Sequence, residues 1–197
     1  MACYFFEAPL GTWKGAIGIK KVAVLLADGF ETIEALTVVD ILRRAEISCD
    51  TFALEGLEVC SSHKIIVKAD KNINDNEIKD YDCIVLPGGM PGAKNLKENS
   101  RVIELIKDFN NKGKLICGIC AGPIAFGEAG ITEGKDMTCY PGFEKELGSC
   151  NYKEQLVISF ENIITGRGPA AAIPFAFEIL NKFKPEKLEQ VKAGMLF

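Results

Sequence analysis

From Lys21 onward, apolar and polar positions follow two rhythms. Val22-Ala23-Val24-Leu25-Leu26 is a short unbroken apolar run that stops at Asp28-Gly29. A run of that length closed by a turn pair predicts a strand buried on both faces of a parallel sheet. Across residues 31–46, Ile33, Leu36, Val39 and Leu42 recur every three residues, with Arg43-Arg44 in the last turn. That spacing predicts a helix with cations at its C-terminal end. Residues 48–54 predict a second strand, and 59–67 a hairpin arm at one sheet edge. Residues 82–86 predict another buried strand, closed by Pro87-Gly88-Gly89. Ser100 suits the N-cap of a helix through Asn110. A strand and a helix follow within 114–128. Beyond Gly130 the pattern loosens. Residues 156–160 and 162–165 predict a short β pair, 169–183 a helix rich in small residues, and 185–191 a last amphipathic helix.

Strands alternating with helices imply an α/β fold: a mostly parallel sheet with helices on both faces. In such sheets the working site lies beyond the carboxyl ends of the strands. Asp28-Gly29, Pro87-Gly88-Gly89, Gly118-Ile119-Cys120 and Gly166-Arg167-Gly168 all close predicted strands, so four loops should converge. No repeat, low-complexity tract or long linker divides the chain, so residues 20–197 read as one domain. Residues 1–19 stand outside the pattern as an N-terminal extension. They lack a basic stretch followed by a clean apolar one, which argues against a secretory signal.

Composition narrows the function classes. The 197 residues suit one domain with a sizeable core. A net charge of -4 without a basic patch argues against nucleic acid and anionic membranes as partners. No apolar run reaches the roughly 18 residues of a membrane helix. Among the eight cysteines, Cys83 and Cys117 fall inside apolar strand patterns. Thiols used as small buried hydrophobes fit a reducing cytoplasm, with organelle targeting by residues 1–19 left open. A single histidine argues against a Cys/His zinc site, and no metal is expected.

The strand–helix junction at 114–127 carries the clearest chemistry. Gly118-Ile119-Cys120-Ala121-Gly122 is a cysteine version of the G-x-S-x-G nucleophile elbow, a sharp turn that lifts the nucleophile out of the sheet. A cysteine at a helix start should favour thiolate. Glu34, in the first turns after the first strand, should face the elbow. To hydrogen-bond a thiolate it must itself be protonated, and it can then act as general acid and base. Backbone N–H groups of Gly89 and Ala121 are candidate oxyanion donors, with Gly88 keeping the approach open. His63, in the polar turn Ser61-Ser62-His63-Lys64, reads as a surface histidine rather than a Cys–His partner. Cys117 and Cys120 match C-x-x-C, but Cys117 ends a buried strand, which opposes a redox dithiol. Arg167 reads as a carbonyl-capping arginine, or as electrostatic support for Cys120.

Four segments, ADGFETIEALTVVDILRRAE (27–46), DCIVLPGGMPGAKNL (82–96), ICGICAGP (116–123) and ITGRGPAAAIPFAFEIL (164–180), together resemble the ThiJ/PfpI superfamily, in the branch of the parkinsonism-associated deglycase. The resemblance runs from about Lys21 to near the C-terminus. It implies a flavodoxin-like three-layer sandwich that forms a homodimer. It makes Cys120 the reactive, oxidation-sensitive cysteine, Glu34 its protonated partner, and Gly89 and Ala121 the oxyanion donors. It implies cofactor-free glyoxalase or deglycase chemistry on methylglyoxal, glyoxal or their early adducts, in oxidative and carbonyl stress. Peroxide sensing or chaperone action through Cys120, and cysteine peptidase activity, are its alternatives. Tyr140 stands where close relatives have a histidine and would support the site by donating a hydrogen bond in its place, without the help of an imidazole, and Met90 also departs from some relatives.

Overall fold

A computed structural model describes residues 20–197. The expected extension, residues 1–19, lies outside the described residues. The chain runs through β1 (Lys21–Leu26), α1 (Thr32–Arg44), β2 (Ser48–Ala53), β3 (Glu58–Cys60), β4 (Ile66–Lys68), β5 (Lys71–Asn72), β6 (Cys83–Leu86), α2 (Gly92–Glu98) and α3 (Ser100–Asn111). It continues with β7 (Leu115–Ile119), α4 (Ile124–Ala129), β8 (Asp136–Met137), β9 (Asn151–Tyr152), β10 (Val157–Phe160), β11 (Ile163–Gly166), α5 (Ala172–Phe183) and α6 (Leu188–Gly194).

The main sheet has the order β10-β11-β7-β6-β1-β2-β5. Its neighbours pair in parallel except for β10, which runs antiparallel to β11 at the edge. β6 and β7 are buried along their whole length, as an apolar run covered on both faces requires. On one face α1 and α5 contribute Val38, Ile41, Leu42, Phe175 and Ile179 to the core. On the other, α3 and α4 contribute Val102, Ile106, Phe109 and Phe126. This is the expected three-layer flavodoxin-like sandwich. The buried stripe holds α1 in place: each fully buried aliphatic side chain contributes about 1.5–3 kcal/mol. The N-cap residue Glu31 adds no side-chain cap bond.

Three local expectations are corrected. Residues 59–67 do not supply an arm of the main sheet. β3 and β4 pair only with each other, and β5 takes the sheet edge. The hairpin instead lies over the loop after β1, where Gly29 N–H donates to Cys60 O at 2.7 Å and Ser62 N–H to Phe30 O at 2.9 Å. The N-cap of α3 is Asn99, whose side chain accepts from Val102 N–H at 3.2 Å, and Ser100 is already helical. Helix α2 and the small β8–β9 pair had no expected counterpart. Short 3-10 turns, Pro169–Ala171 and Pro185–Lys187, lead into α5 and α6, where unbroken helices were expected. Among the described residues no helix is long and apolar enough to cross a membrane.

Candidate active site

The elbow forms because three residues allow a reversal that others would block. Cys120 has φ +61°, in the left-handed region where a side chain is strained. A Cβ at Gly118 would lie 2.7 Å from the Phe126 ring, and one at Gly122 would lie 2.2 Å from Leu86 O. Cys120 is pinned on both sides: its N–H donates to Gly166 O at 2.8 Å, and its carbonyl accepts from Tyr140 N–H at 2.9 Å. Its side chain is nearly covered, with the residue 9% exposed.

Around that sulfur the expected loops meet. The amide N–H groups of Ala121 and Gly89 lie close enough to favour a negative charge on it. Glu34, fully buried in the first turn of α1, accepts from Gly88 N–H at 2.7 Å through Oε2. Its Oε1 has no hydrogen-bond partner among the described residues, and Cys120 lies near enough to lower the carboxyl's pKa against the effect of burial. Gly88 must be glycine: a Cβ there would lie 2.6 Å from Cys120 Cβ and 2.7 Å from Glu34 Oε2. Gly89 has φ +84°, and its absent Cβ would meet Glu31 N at 2.4 Å.

The electrostatics correct one expectation. Helix α4 begins only at Ile124 and has six residues, so Cys120 does not sit at its first position. Loop amides, not a helix dipole, point at the sulfur. Burial first, then the Glu34 carboxylate, push the thiol up to about 12, while Ala121 and Gly89 N–H pull it down. Burial likewise pushes Glu34 up to about 7, against Gly88 N–H and Cys120, with the Glu31 charge adding to the rise. The pair therefore releases one proton at about 7 and shares the second up to about 12. Ionisation of Cys120 belongs to the pair, not to the turn alone.

The other candidates sort themselves by what they touch. Arg167 pairs with Glu154 at 3.3 Å, and its charge opposes the rise at the Cys139 thiol, whereas the largest influences on Cys120 are burial, Glu34 and the two loop amides. Tyr140 meets Cys120 through its main chain, and its ring lies against Gly168. Cys117 is fully buried with its Sγ 3.6 Å from Cys83 Sγ, which leaves no exposed dithiol with Cys120. His63 is exposed, 3.0 Å from Ser62 Oγ through Nδ1. Glu31 is the residue that sequence reasoning passed over. Its signal was the i, i+3 spacing to Glu34 at a helix start. Among the described residues no group of three or more His, Cys, Asp or Glu is placed to hold a metal.

Known proteins share this arrangement of chain. The DJ-1/PfpI family model matches residues 20–182. The zebrafish (Danio rerio) Parkinson disease protein 7 homolog is 37% identical over 183 residues, covering 90% of this chain and 97% of that protein. YraA of Bacillus subtilis, named as a candidate cysteine protease, is 36% identical over 168 residues, 84% of this chain and 99% of that one. The crystal structure of Drosophila melanogaster DJ-1beta superposes with a TM-score of 0.86 at 33% identity, covering 90% of this chain and 97% of that one. An elbow cysteine with its buried acid, set in a sheet of this order and matched over nearly the whole described length, belongs to a member of the DJ-1/PfpI family.

Proposed function

We propose that the chain is a cofactor-free glyoxalase or deglycase acting on methylglyoxal, glyoxal or their early adducts. The observation that carries this reading is the donor set around one sulfur: two amides and a buried carboxyl that shares its proton. The Cys120 thiolate attacks the aldehyde carbon, forming a C–S bond as the carbonyl electrons move to oxygen. Gly89 and Ala121 N–H receive that oxyanion, and Glu34 supplies its proton to give a hemithioacetal. The Glu34 carboxylate then removes the proton from the same carbon. The electrons form an enediol, the neighbouring carbonyl oxygen is protonated, and the proton returns to the adjacent carbon. The resulting thioester is cleaved by water to lactate or glycolate, and the thiol is restored. No metal or glutathione enters the balance. Adducts of these aldehydes with amines or thiols would enter the same route once the adduct carbon–heteroatom bond breaks, releasing the protonated amine or thiol and restoring the aldehyde carbonyl. Purified protein should convert methylglyoxal to lactate, and Cys120→Ala should abolish it. Turnover that survives the substitution would remove Cys120 from the mechanism.

A second reading draws on the same donors. Oxidised to a sulfinate, Cys120 would present oxygens to Gly89 and Ala121 N–H and accept from protonated Glu34, the arrangement of a peroxide sensor or redox-controlled chaperone. Mild peroxide and intact-mass analysis separate the two. A sensor gains two oxygens at Cys120 and changes binding behaviour, whereas an enzyme only loses turnover. Peptidase action is less well supported, because the imidazole of His63 meets Ser62 and Glu31 and not Cys120. The free thiols at Cys49, Cys83, Cys117 and Cys139, all buried, support a reducing, cytoplasmic setting. The resemblance supports a homodimer, and exposed Ile33, Ile65 and Ile66 supply apolar surface for one.

A further inference from the structure

At the rim of the site lies a cluster that the chemistry above does not use. Glu31 occupies the N-cap of α1 yet makes no side-chain cap bond. Its Oε2 accepts from the Ser62 hydroxyl at 3.3 Å and lies 3.6 Å from His63 Nδ1. Ser62 and His63 come from the turn of the β3–β4 hairpin, which is tied to the same loop by Ser62 N–H donating to Phe30 O at 2.9 Å. This is not a nucleophile triad. Serine and acid meet the same ring nitrogen, so the imidazole cannot take a proton from one while being oriented by the other.

On its inner side Glu31 is fixed to the catalytic loops. Its N–H donates to Gly88 O at 2.9 Å, in the residue whose own N–H holds Glu34 at 2.7 Å. Glu34 follows three residues on, in the first turn of the helix that Glu31 precedes. We propose that His63 is a positioning residue for the Cys120–Glu34 pair, setting through Glu31 how readily the pair releases its first proton. The proposal rests on the shared-proton reading given above.

The physical step is a balance of charges. Burial is the main reason the proton stays on Glu34, and a Glu31 carboxylate, opposing a second carboxylate there, adds to it. A positive charge on the imidazole 3.6 Å from Glu31 offsets that carboxylate, so Glu34 gives up its proton more easily, and a neutral side chain at position 63 leaves Glu31 unopposed. Among the described residues of the chain, the other charged groups facing this path are few. Glu31 meets Ser62 and His63 from the hairpin and Glu34 from its own helix. Glu34 meets Cys120 from the elbow and the Gly88 amide. Lys64 is exposed after His63, and Asp28 is engaged by Cys60 N–H at 2.8 Å.

The test is the rate of Cys120 alkylation by iodoacetamide against pH, read on the Cys120 peptide by mass in the full-length chain. His63→Gln should move the midpoint up by roughly 0.2–0.7 pH, the reach of a partly exposed charge pair. Both His63→Lys, a fixed cation, and Glu31→Gln should move it down. In the Glu31→Gln background the His63→Gln change should vanish, because its route is gone. A midpoint unmoved by His63→Gln, or moved equally with and without Glu31, overturns the proposal. Glu34→Gln separates the two levels. If it leaves the wild-type profile intact, the shared-proton reading itself fails. If it alters the profile while His63→Gln does not, only the role of His63 fails. Thermal melts and light scattering on each variant keep unfolding and altered assembly out of the readout.

Discussion

The amides of Gly89 and Ala121 both favour charge on the Cys120 sulfur, whereas the Glu34 carboxyl accepts one hydrogen bond, from Gly88 N–H. With the shared proton on Glu34 Oε1, the charge sits on sulfur and every donor meets an acceptor. With the proton on sulfur, two amides face a neutral thiol, a weak acceptor, and a buried carboxylate oxygen depends on one S–H. That comparison places the charge on Cys120. Glu34→Gln can still donate to a thiolate but cannot carry protons between carbons, so kcat on methylglyoxal should fall roughly 10²–10⁴-fold. Stability offers a second check. The Cys120–Glu34 pair gives up its first proton at about 7 when folded, whereas a Glu34 carboxyl ordinarily loses its own at 4.5. A folded value above the unfolded one gives stability that is complete below 4.5 and lost as pH rises through about 7. Over that window wild type should lose about 3 kcal/mol more than Glu34→Gln in urea unfolding, and parallel curves would contradict it. The meeting of Cys120, Glu34, Gly89 and Ala121 at one corner was legible because the elbow spacing marks Cys120 and Ala121, and parallel strands bring the loops bearing Glu34 and Gly89 to the same end. The raised thiol was not, because burial is decided by packing of loops remote in sequence. Nor was Arg167, since sequence places a side chain on a loop without saying that Glu154 will hold it.

Glycine spacing does at the level of elements what the donors do at the level of atoms. Gly88 lets the loop after β6 lie against the elbow, and an added methyl would meet Cys120, Glu34 and the Ala121 amide within 2.9 Å. Gly88→Ala should therefore abolish Cys120 alkylation and cost about 1–3 kcal/mol. Gly194, at the end of α6, has open space around its Cβ position. Gly194→Ala should leave reactivity unchanged and gain up to about 1 kcal/mol, so a loss of reactivity there would undermine the steric argument. The strands and long helices were legible from periodicity because each buries a continuous face. The β3–β4 hairpin was legible as β structure but not as a separate pair. Alternation fixes the pleat, while the partner is chosen by hydrogen bonds to the loop after β1. The cap of α3 slipped by one residue for a similar reason, since Asn99 and Ser100 both suit an N-cap and only the turn geometry chooses.

Across the whole molecule, the sheet order sets β1, β6, β7 and β11 side by side, which brings their carboxyl-end loops to one corner. Convergence of four loops was legible because parallel strands share a direction. The corner's apolar rim was not, because exposure of Ile33, Ile65 and Ile66, at 51%, 49% and 66%, depends on how the hairpin lies. If that rim is the dimer contact, Ile66→Glu should lower the mass seen by light scattering toward that of one chain, and an unchanged mass would move the contact elsewhere. The chemistry still turns on the state of a single sulfur. Thiolate absorbance in the ultraviolet, taken as wild type minus Cys120→Ser across pH, reads it directly. The account predicts that the signal rises through about 7 and then holds level, whereas a signal appearing only as pH approaches about 12 would put the charge on Glu34 and contradict it.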